Sequence, residues 1–189
     1  MKTQYLTACS LDGFIADPDD SLEWLFPLGN VEDTSIPEFM KSVGALAMGA
    51  HTYEWLLRNG FDPGNAAPQP WPYSQPTWVF TSRTLPVVRG ADIRFVRGSV
   101  REVFPEIEVA AQGLNLWVMG GGDLAGQFFD AGLLDEIHVQ FGSVTLGAGK
   151  PLFPRRLTSP PLVLRSVNQV GTGFAELVYE VPKGPQQSS

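Results

Sequence analysis

Cysteine is nearly absent, with Cys9 the only one in 189 residues. A lone thiol cannot close an intrachain disulfide or build a cysteine-rich zinc or iron–sulfur centre, so no metal is expected and a reducing cytoplasm is the expected location. Long apolar runs are missing too. None approaches the roughly 18 residues that a membrane span needs, and the chain reads as soluble. The opening MKTQYLTACSLDGFIADPDD carries one lysine and a short apolar stretch interrupted by Asp12, which reads as a first strand and not as the core of a signal peptide. Positive charge is scarce: 13 Lys and Arg stand against 20 Asp and Glu, a net charge of -7. An acidic surface repels a polyanion, so no nucleic-acid partner is expected.

What is present suits a packed domain. Hydrophobic residues make up 43% and charged residues 17%, ample material for a core. The length fits one domain of roughly 100 to 200 residues, here residues 1–183, with 184–189 expected as a disordered tail because nothing apolar anchors it. Runs rich in β-branched and aromatic residues recur at YLTACSL, ALAMG, TWVFTS, IRFV, LNLWVM, EIHVQFGSV, LVLRSVNQV and FAELVYEV, each reading as a strand. Between them SIPEFMKSV, AHTYEWLLRN, SVREVFPEIEVAAQ and DLAGQFFDAGLL have apolar residues at helical spacing. Strands and helices alternate up to about Leu134, after which the chain is nearly all β. That order predicts an α/β fold with a mainly parallel sheet under helices, finished by antiparallel edge strands. FDPGNAAPQPWPYSQP reads as a flap or a loose insertion, and its Trp71 is placed to lid a planar substrate.

Two features point to a phosphate. Gly120, Gly122 and Ala125 satisfy the G-x-G-x-x-G/A pattern between a strand and a helix, where glycines allow close approach and free amides attract an anion. The context is not that of a Rossmann unit, which continues with another βα pair and an acid for the ribose. About twenty residues on stands Gln140, and the rest reads as β. The alternative is a turn that only packs helix on strand. The second feature is a basic island, Arg83, Arg89, Arg94, Arg97 and Arg101, facing only Asp92. It reads as solvated surface or as a phosphate site.

SLDGFIAD, MGAHTYE, VFTSRTL, VMGGGDLAGQFF, AGLLDEIHV and GSVTLGAGKPLF follow one another as in the dihydrofolate reductase-like superfamily. The chain most resembles the branch that includes the C-terminal reductase domain of the bifunctional riboflavin-biosynthesis deaminase-reductase. The resemblance implies a three-layer α/β/α fold that binds NADPH. It places Gly120, Gly121, Gly122, Asp123 and Leu124 against the cofactor pyrophosphate, with Gly49, Ala50, His51 and Thr52 as a second set of phosphate contacts. The family often has Arg where Ala50 stands. Thr81, Ser82 and Arg83 fall where the 2'-phosphate is received, Arg83 suited to pair with it bidentately.

At the reactive end the resemblance implies nicotinamide contacts from Ala8 and Ile15, with Asp12 and Gly13 shaping the turn and Trp24 and Asp12 bordering the substrate. Asp33 and Glu32 lie where a catalytic acid is expected, although Asp33, Thr34 and Ser35 read equally as a helix start. His138 alternates with Ile137 and Val139 and reads as a sheet residue, His51 suits hydrogen bonding, and Arg155 and Arg156 read as an exposed pair. No deaminase zinc motif is present. The expected activity is hydride transfer from NADPH to a small heterocycle, pterin-like or ribosylaminopyrimidine-like, by a homodimer. A noncatalytic nucleotide-binding module and a purely structural dimer are the alternatives.

Overall fold

The computed structural model describes residues 1–183; the expected tail, 184–189, lies outside the described residues. Its centre is an eight-stranded sheet. In chain order the strands are β1 (Thr3–Ser10), β3 (Val43–Gly49), β4 (Thr77–Phe80), β5 (Ile93–Val96), β6 (Asn115–Gly120), β7 (Glu136–Gly142), β9 (Val163–Val170) and β10 (Phe174–Glu180), with a separate small pair, β2 (Phe14–Ala16) and β8 (Lys150–Pro151). The spatial order is β5-β4-β3-β6-β1-β7-β10-β9. The first six are parallel to their neighbours; β10 runs antiparallel to both β7 and β9. The mixed sheet expected from the alternation of elements is therefore found, with its antiparallel edge.

The central strands are apolar on both faces because both faces are covered. Along β3, Ala45 and Ala47 join Val103 and Ile107 of α3 (Val100–Ala110) and Phe128 of α4 (Gly122–Asp130). Leu46 and Met48 point the other way. Leu46 joins Trp117 and Phe39 of α1 (Ile36–Met40), and Met48 joins Tyr53 and Leu56 of α2 (Ala50–Leu56). Two helices on each face make the three-layer α/β/α architecture of the dihydrofolate reductase-like fold.

Local sequence accounts for most boundaries. Ser99 and Glu102 form a reciprocal capping box at α3, Ser99 Oγ accepting from the Glu102 amide at 3.3 Å and Glu102 Oε2 from the Ser99 amide at 2.9 Å. α2 was expected to run to Asn59; it widens after Leu56, and Gly60, at φ +116°, ends the turn. The Pro/Gly-rich segment is not a loose insertion. Its Trp71 and Tyr73 pack edge-on at 5.6 Å, Trp71 lies against Tyr53 and Phe61, and Tyr73 reaches Trp117 at 6.0 Å.

Candidate functional site

The parallel strands end together, and the loops and helix starts beyond them enclose a cavity of about 820 Å3. This is where open α/β sheets usually hold ligands, and the volume lies in the upper range for small-molecule sites. Ala8 ends the floor from β1 and Ile15 overhangs it from β2. Gly49, Ala50, His51 and Thr52 form one wall at the start of α2, and Gly120, Gly121, Gly122, Asp123 and Leu124 form another at the start of α4. Thr81, Ser82 and Arg83 line it beyond β4. Motifs separated by more than a hundred residues thus meet around one space.

The three consecutive glycines have different duties. Gly120 adopts φ +135°, a conformation that side chains rarely accept. At Gly122 a Cβ would lie 2.3 Å from the Leu152 carbonyl oxygen and 2.6 Å from that of Pro151, so only glycine lets α4 pack on that loop. Gly121 is needed for neither reason: a Cβ there meets only Ile15 Cδ1, at 3.7 Å. Its open side faces the cavity. Neither Gly49 nor Gly121, the residues that begin α2 and α4, supplies a side-chain cap, so among the described residues the first-turn amides at both helices lack side-chain partners.

Arg83 is not idle. Its guanidinium donates to Glu54 Oε1 at 2.8 Å and Oε2 at 2.7 Å, and its amide donates to Thr81 Oγ1 at 3.0 Å. The basic island divides by role. Arg94 pairs with Asp92 and Glu106 and stacks 4.6 Å from the Trp78 ring centroid, and Arg101 donates to the Ala131 carbonyl. Of the five arginines only Arg83 lines the cavity.

Four expected site residues stand elsewhere. Asp12 accepts from Ser10 Oγ at 2.5 Å, from the Leu146 amide and from the Gly147 amide at 2.7 Å, tying the turn to the 146–147 loop. The Ser10 hydroxyl, with those two amides, lowers its pKa. Trp24 packs on Gly142, where a Cβ would meet its Cζ3 at 3.0 Å. Glu32 and Asp33 are exposed in a short helical turn, Asp33 on a smaller neighbouring cleft. None of the four lines the large cavity.

Other expectations shift as well. Trp71 packs in the aromatic cluster and does not line the cavity; Tyr73 does. Arg155 and Arg156 are not an exposed pair, because Arg155 is 23% exposed and bound to Asp130 at 2.7 Å and Asp123 at 3.0 Å. Gly126 makes room for it, since a Cβ would meet Arg155 Cζ at 2.6 Å. His138 is a satisfied sheet residue, its Nε2 3.1 Å from Glu136 Oε2 and its ring edge-on to Phe39. Cys9 is fully buried; burial, with the nearby Asp12 charge, pushes its thiol up to about 12. Residues that sequence reasoning did not select also border the cavity, notably Gln140, Thr34, Phe174 and Trp117. Nothing in an alternating strand pattern separates them from ordinary core.

No helix among the described residues is long and apolar enough to cross a membrane, and no three His, Cys, Asp or Glu side chains among them converge as a metal site would require. The family model described as the RibD C-terminal domain matches residues 2–175. Among curated proteins, the chain is 28% identical over 171 residues to the uncharacterized protein YwjB of Bacillus subtilis (strain 168), covering 90% of this chain and 92% of that one. A crystal structure from Shewanella sp. PV-4, provisionally named a riboflavin biosynthesis protein, matches with a TM-score of 0.77 and 28% identity over 95% of this chain and 98% of the other. The Thermotoga maritima diaminohydroxyphosphoribosylaminopyrimidine deaminase/5-amino-6-(5-phosphoribosylamino)uracil reductase shares the fold at a TM-score of 0.65 and 16% identity, over 95% of this chain and 56% of that one. The order of motifs, the sheet and the family match agree: the chain belongs to the RibD C-terminal domain family, a reductase-type branch of the dihydrofolate reductase-like superfamily.

Proposed function

We propose that this protein is an NADPH-dependent oxidoreductase that reduces a small heterocyclic acceptor, pterin-like or ribosylaminopyrimidine-like. The observation that carries the reading is the convergence of two uncapped helix starts, at Gly49 and Gly121, on one cavity with Arg83 lining it. Free amides and a positive helix end favour phosphate oxygens, and Gly121 leaves the space that a closely approaching phosphate requires. These residues fit the dinucleotide. Amides of Gly122, Asp123 and Leu124 hold the pyrophosphate from one side, and those of Ala50, His51 and Thr52 from the other. Thr81, Ser82 and Arg83 take the 2'-phosphate. Ala8 and Ile15 bracket the nicotinamide, which when bound supplies the hydride; the chain's own task is to align it with the acceptor and exclude water.

Titration of the purified protein with NADPH and NADH, followed by tryptophan fluorescence, tests this reading. NADPH binds more tightly than NADH, and Arg83→Ala removes most of the difference. No saturable binding of either nucleotide overturns it. One observation favours a noncatalytic nucleotide-binding module: Glu32 and Asp33 lie outside the cavity. That reading predicts NADPH binding with no oxidation by any pterin or aminopyrimidine acceptor. Assembly as a homodimer is supported by β9, an edge strand with Val163, Leu164 and Val167 exposed. A reducing cytoplasm suits the lone buried thiol.

A further inference from the structure

The large cavity does not stop where Ala8 is read to meet the nicotinamide. Beyond β1 it meets a smaller cleft of about 420 Å3, and Gly29, Asn30, Thr34 and Phe174 border both spaces. The sheet sets the distance between them. Ser10 of β1 is in register with Gly142 of β7, and Gly142 with Phe174 of β10. Neighbouring strands lie about 4.8 Å apart, so the Phe174 wall stands roughly 10 Å from β1. A planar heterocycle beside Ala8, carrying a short substituent, spans that gap.

The cleft is built into the packing. Leu28, which begins one wall, is seated on two glycines: a Cβ on Gly173 would lie 2.4 Å from the Leu28 carbonyl oxygen, and one on Gly142 would lie 2.7 Å from Leu28 Cδ1. Gly171, at φ +55°, turns the chain on the other side, where a Cβ would come 3.6 Å from the Asp33 carbonyl oxygen. The polar groups of the cleft are available. Asn30, Asp33 and Thr172 are exposed. Among the described residues the Thr172 hydroxyl has no hydrogen-bond partner, and the Asp33 carboxylate has only the Asn30 Nδ2 contact at 3.5 Å.

Charge at this end has one sign. No Lys, Arg or His borders the cleft among the described residues. The long cations of the large cavity are committed elsewhere: Lys150, on β8, faces Asp20 at 3.5 Å, and Arg83, beyond β4, is held by Glu54. The Glu176 carboxylate, two residues along β10 from Phe174, is held by Gln140 and Ser35 with no cation. A phosphate placed in the cleft would meet Asp33 with nothing to neutralise it. Hydroxyl groups, by contrast, donate to a carboxylate and exchange hydrogen bonds with amide and threonine side chains.

We propose that this cleft is the subsite for the acceptor's substituent, and that it takes a neutral hydroxylated chain and rejects a phosphorylated one. Asp33 accepts from hydroxyls of the chain, and Asn30 and Thr172 bond its remaining polar groups. The subsite rests on the reductase reading, because Ala8 fixes where the reacting ring lies. It also narrows that reading: acceptors whose chain ends in a phosphate are excluded. Asp33, outside the large cavity but on the cleft, gains a role in recognition and none in proton transfer.

The test titrates the full chain, saturated with NADP+ so that no turnover occurs, with three probes. These are 6-methyl-7,8-dihydropterin, which has no chain to place, 7,8-dihydroneopterin, whose chain carries hydroxyls, and 7,8-dihydroneopterin 3'-phosphate. Wild type binds dihydroneopterin about tenfold more tightly than the methyl probe, the worth of a hydrogen bond to a charged group. It binds the phosphate at least about tenfold more weakly than dihydroneopterin, the cost of an unneutralised charge. Asp33→Asn removes most of the first difference and Asp33→Lys reverses the second, while affinities for NADP+ and the methyl probe stay unchanged in both. Asp33 is exposed, and thermal melting shows that both variants fold. Thr172→Trp fills the cleft and brings dihydroneopterin down to the level of the methyl probe, a second route to the same answer. Equal or tighter binding of the phosphate by wild type, or wild-type preferences in Asp33→Lys, overturns the proposal. So does failure of all three probes to bind the NADP+-loaded protein, and in each of these cases cofactor binding leaves the reductase reading standing. Failure of wild type to bind either NADP+ or NADPH overturns that reading and this proposal with it.

Discussion

At the scale of single residues, the pairing of a charge decides its use. Arg83 is held bidentately by Glu54, so a 2'-phosphate must displace a carboxylate to reach it. The pair is half exposed, with Arg83 at 50% and Glu54 at 26%, and such pairs contribute up to about 1 kcal/mol. Glu54→Gln is therefore expected to tighten NADPH binding by up to about fivefold and leave NADH unchanged; equal or weaker NADPH binding in the same titration counts against this role. Glu136 tests a different charge. Burial raises its pKa, but hydrogen bonds from Lys2, Gln4 and His138 outweigh burial and bring it down from 4.5 to about 2. Because the folded value is depressed, the stabilisation is complete above 4.5 and is lost as pH falls toward 2. Urea unfolding should find Glu136→Gln less stable than wild type by about 1–3 kcal/mol at pH 7, with the difference vanishing near pH 2. Cys9 should resist thiol reagents in the native protein and react only on unfolding, which a timed labelling assay reads directly.

At the scale of elements, the glycine turn before α4 separates packing from binding. Gly122→Ala drives a Cβ against the backbone carbonyls of Pro151 and Leu152, and its cost is that of overpacking, about 1–3 kcal/mol. Gly121→Ala meets only ordinary contact with Ile15. Its melting temperature should stay near that of wild type while NADPH affinity falls at least tenfold, the cost of closing a site that depends on backbone approach. Measuring both quantities on both variants is decisive. If Gly121→Ala binds NADPH as wild type does, the turn serves packing alone. The strand and helix pattern was legible here because each element is long enough to show its period, and the capping box at Ser99 and Glu102 was written in four residues. The two-residue β8 and its partner β2 were not legible, since such short strands exist only through pairing with each other.

At the scale of the whole molecule, the sheet ends in β9, which has no partner on its outer side among the described residues and exposes Val163, Leu164 and Val167. Sedimentation should find a dimer, and Val167→Lys, at a position 61% exposed, should shift it toward monomer without lowering the melting temperature of the protomer. A monomeric wild type removes the dimer from the proposal. The alternation of helices and strands already implied the central parallel strands, because parallel neighbours need a long crossover, usually a helix; β4 and β5 are joined without one, by residues 81–92.

By themselves, the residues determined whatever resides in contiguous stretches: the order of elements, the turns that open α2 and α4, and the motifs that carry the family resemblance. Those turns keep their character in any packing, since backbone amides and glycines are local properties. The tertiary structure decided which side chains meet. Glu176 alternates with apolar residues in FAELVYE as a surface acid of a half-exposed strand does, and only the placing of Ser35 and Gln140 against it buries the charge. Arg83 looked free because Glu54, the residue that binds it, stands 29 positions earlier. Pairing across such separations depends on register and layer, which no local period encodes.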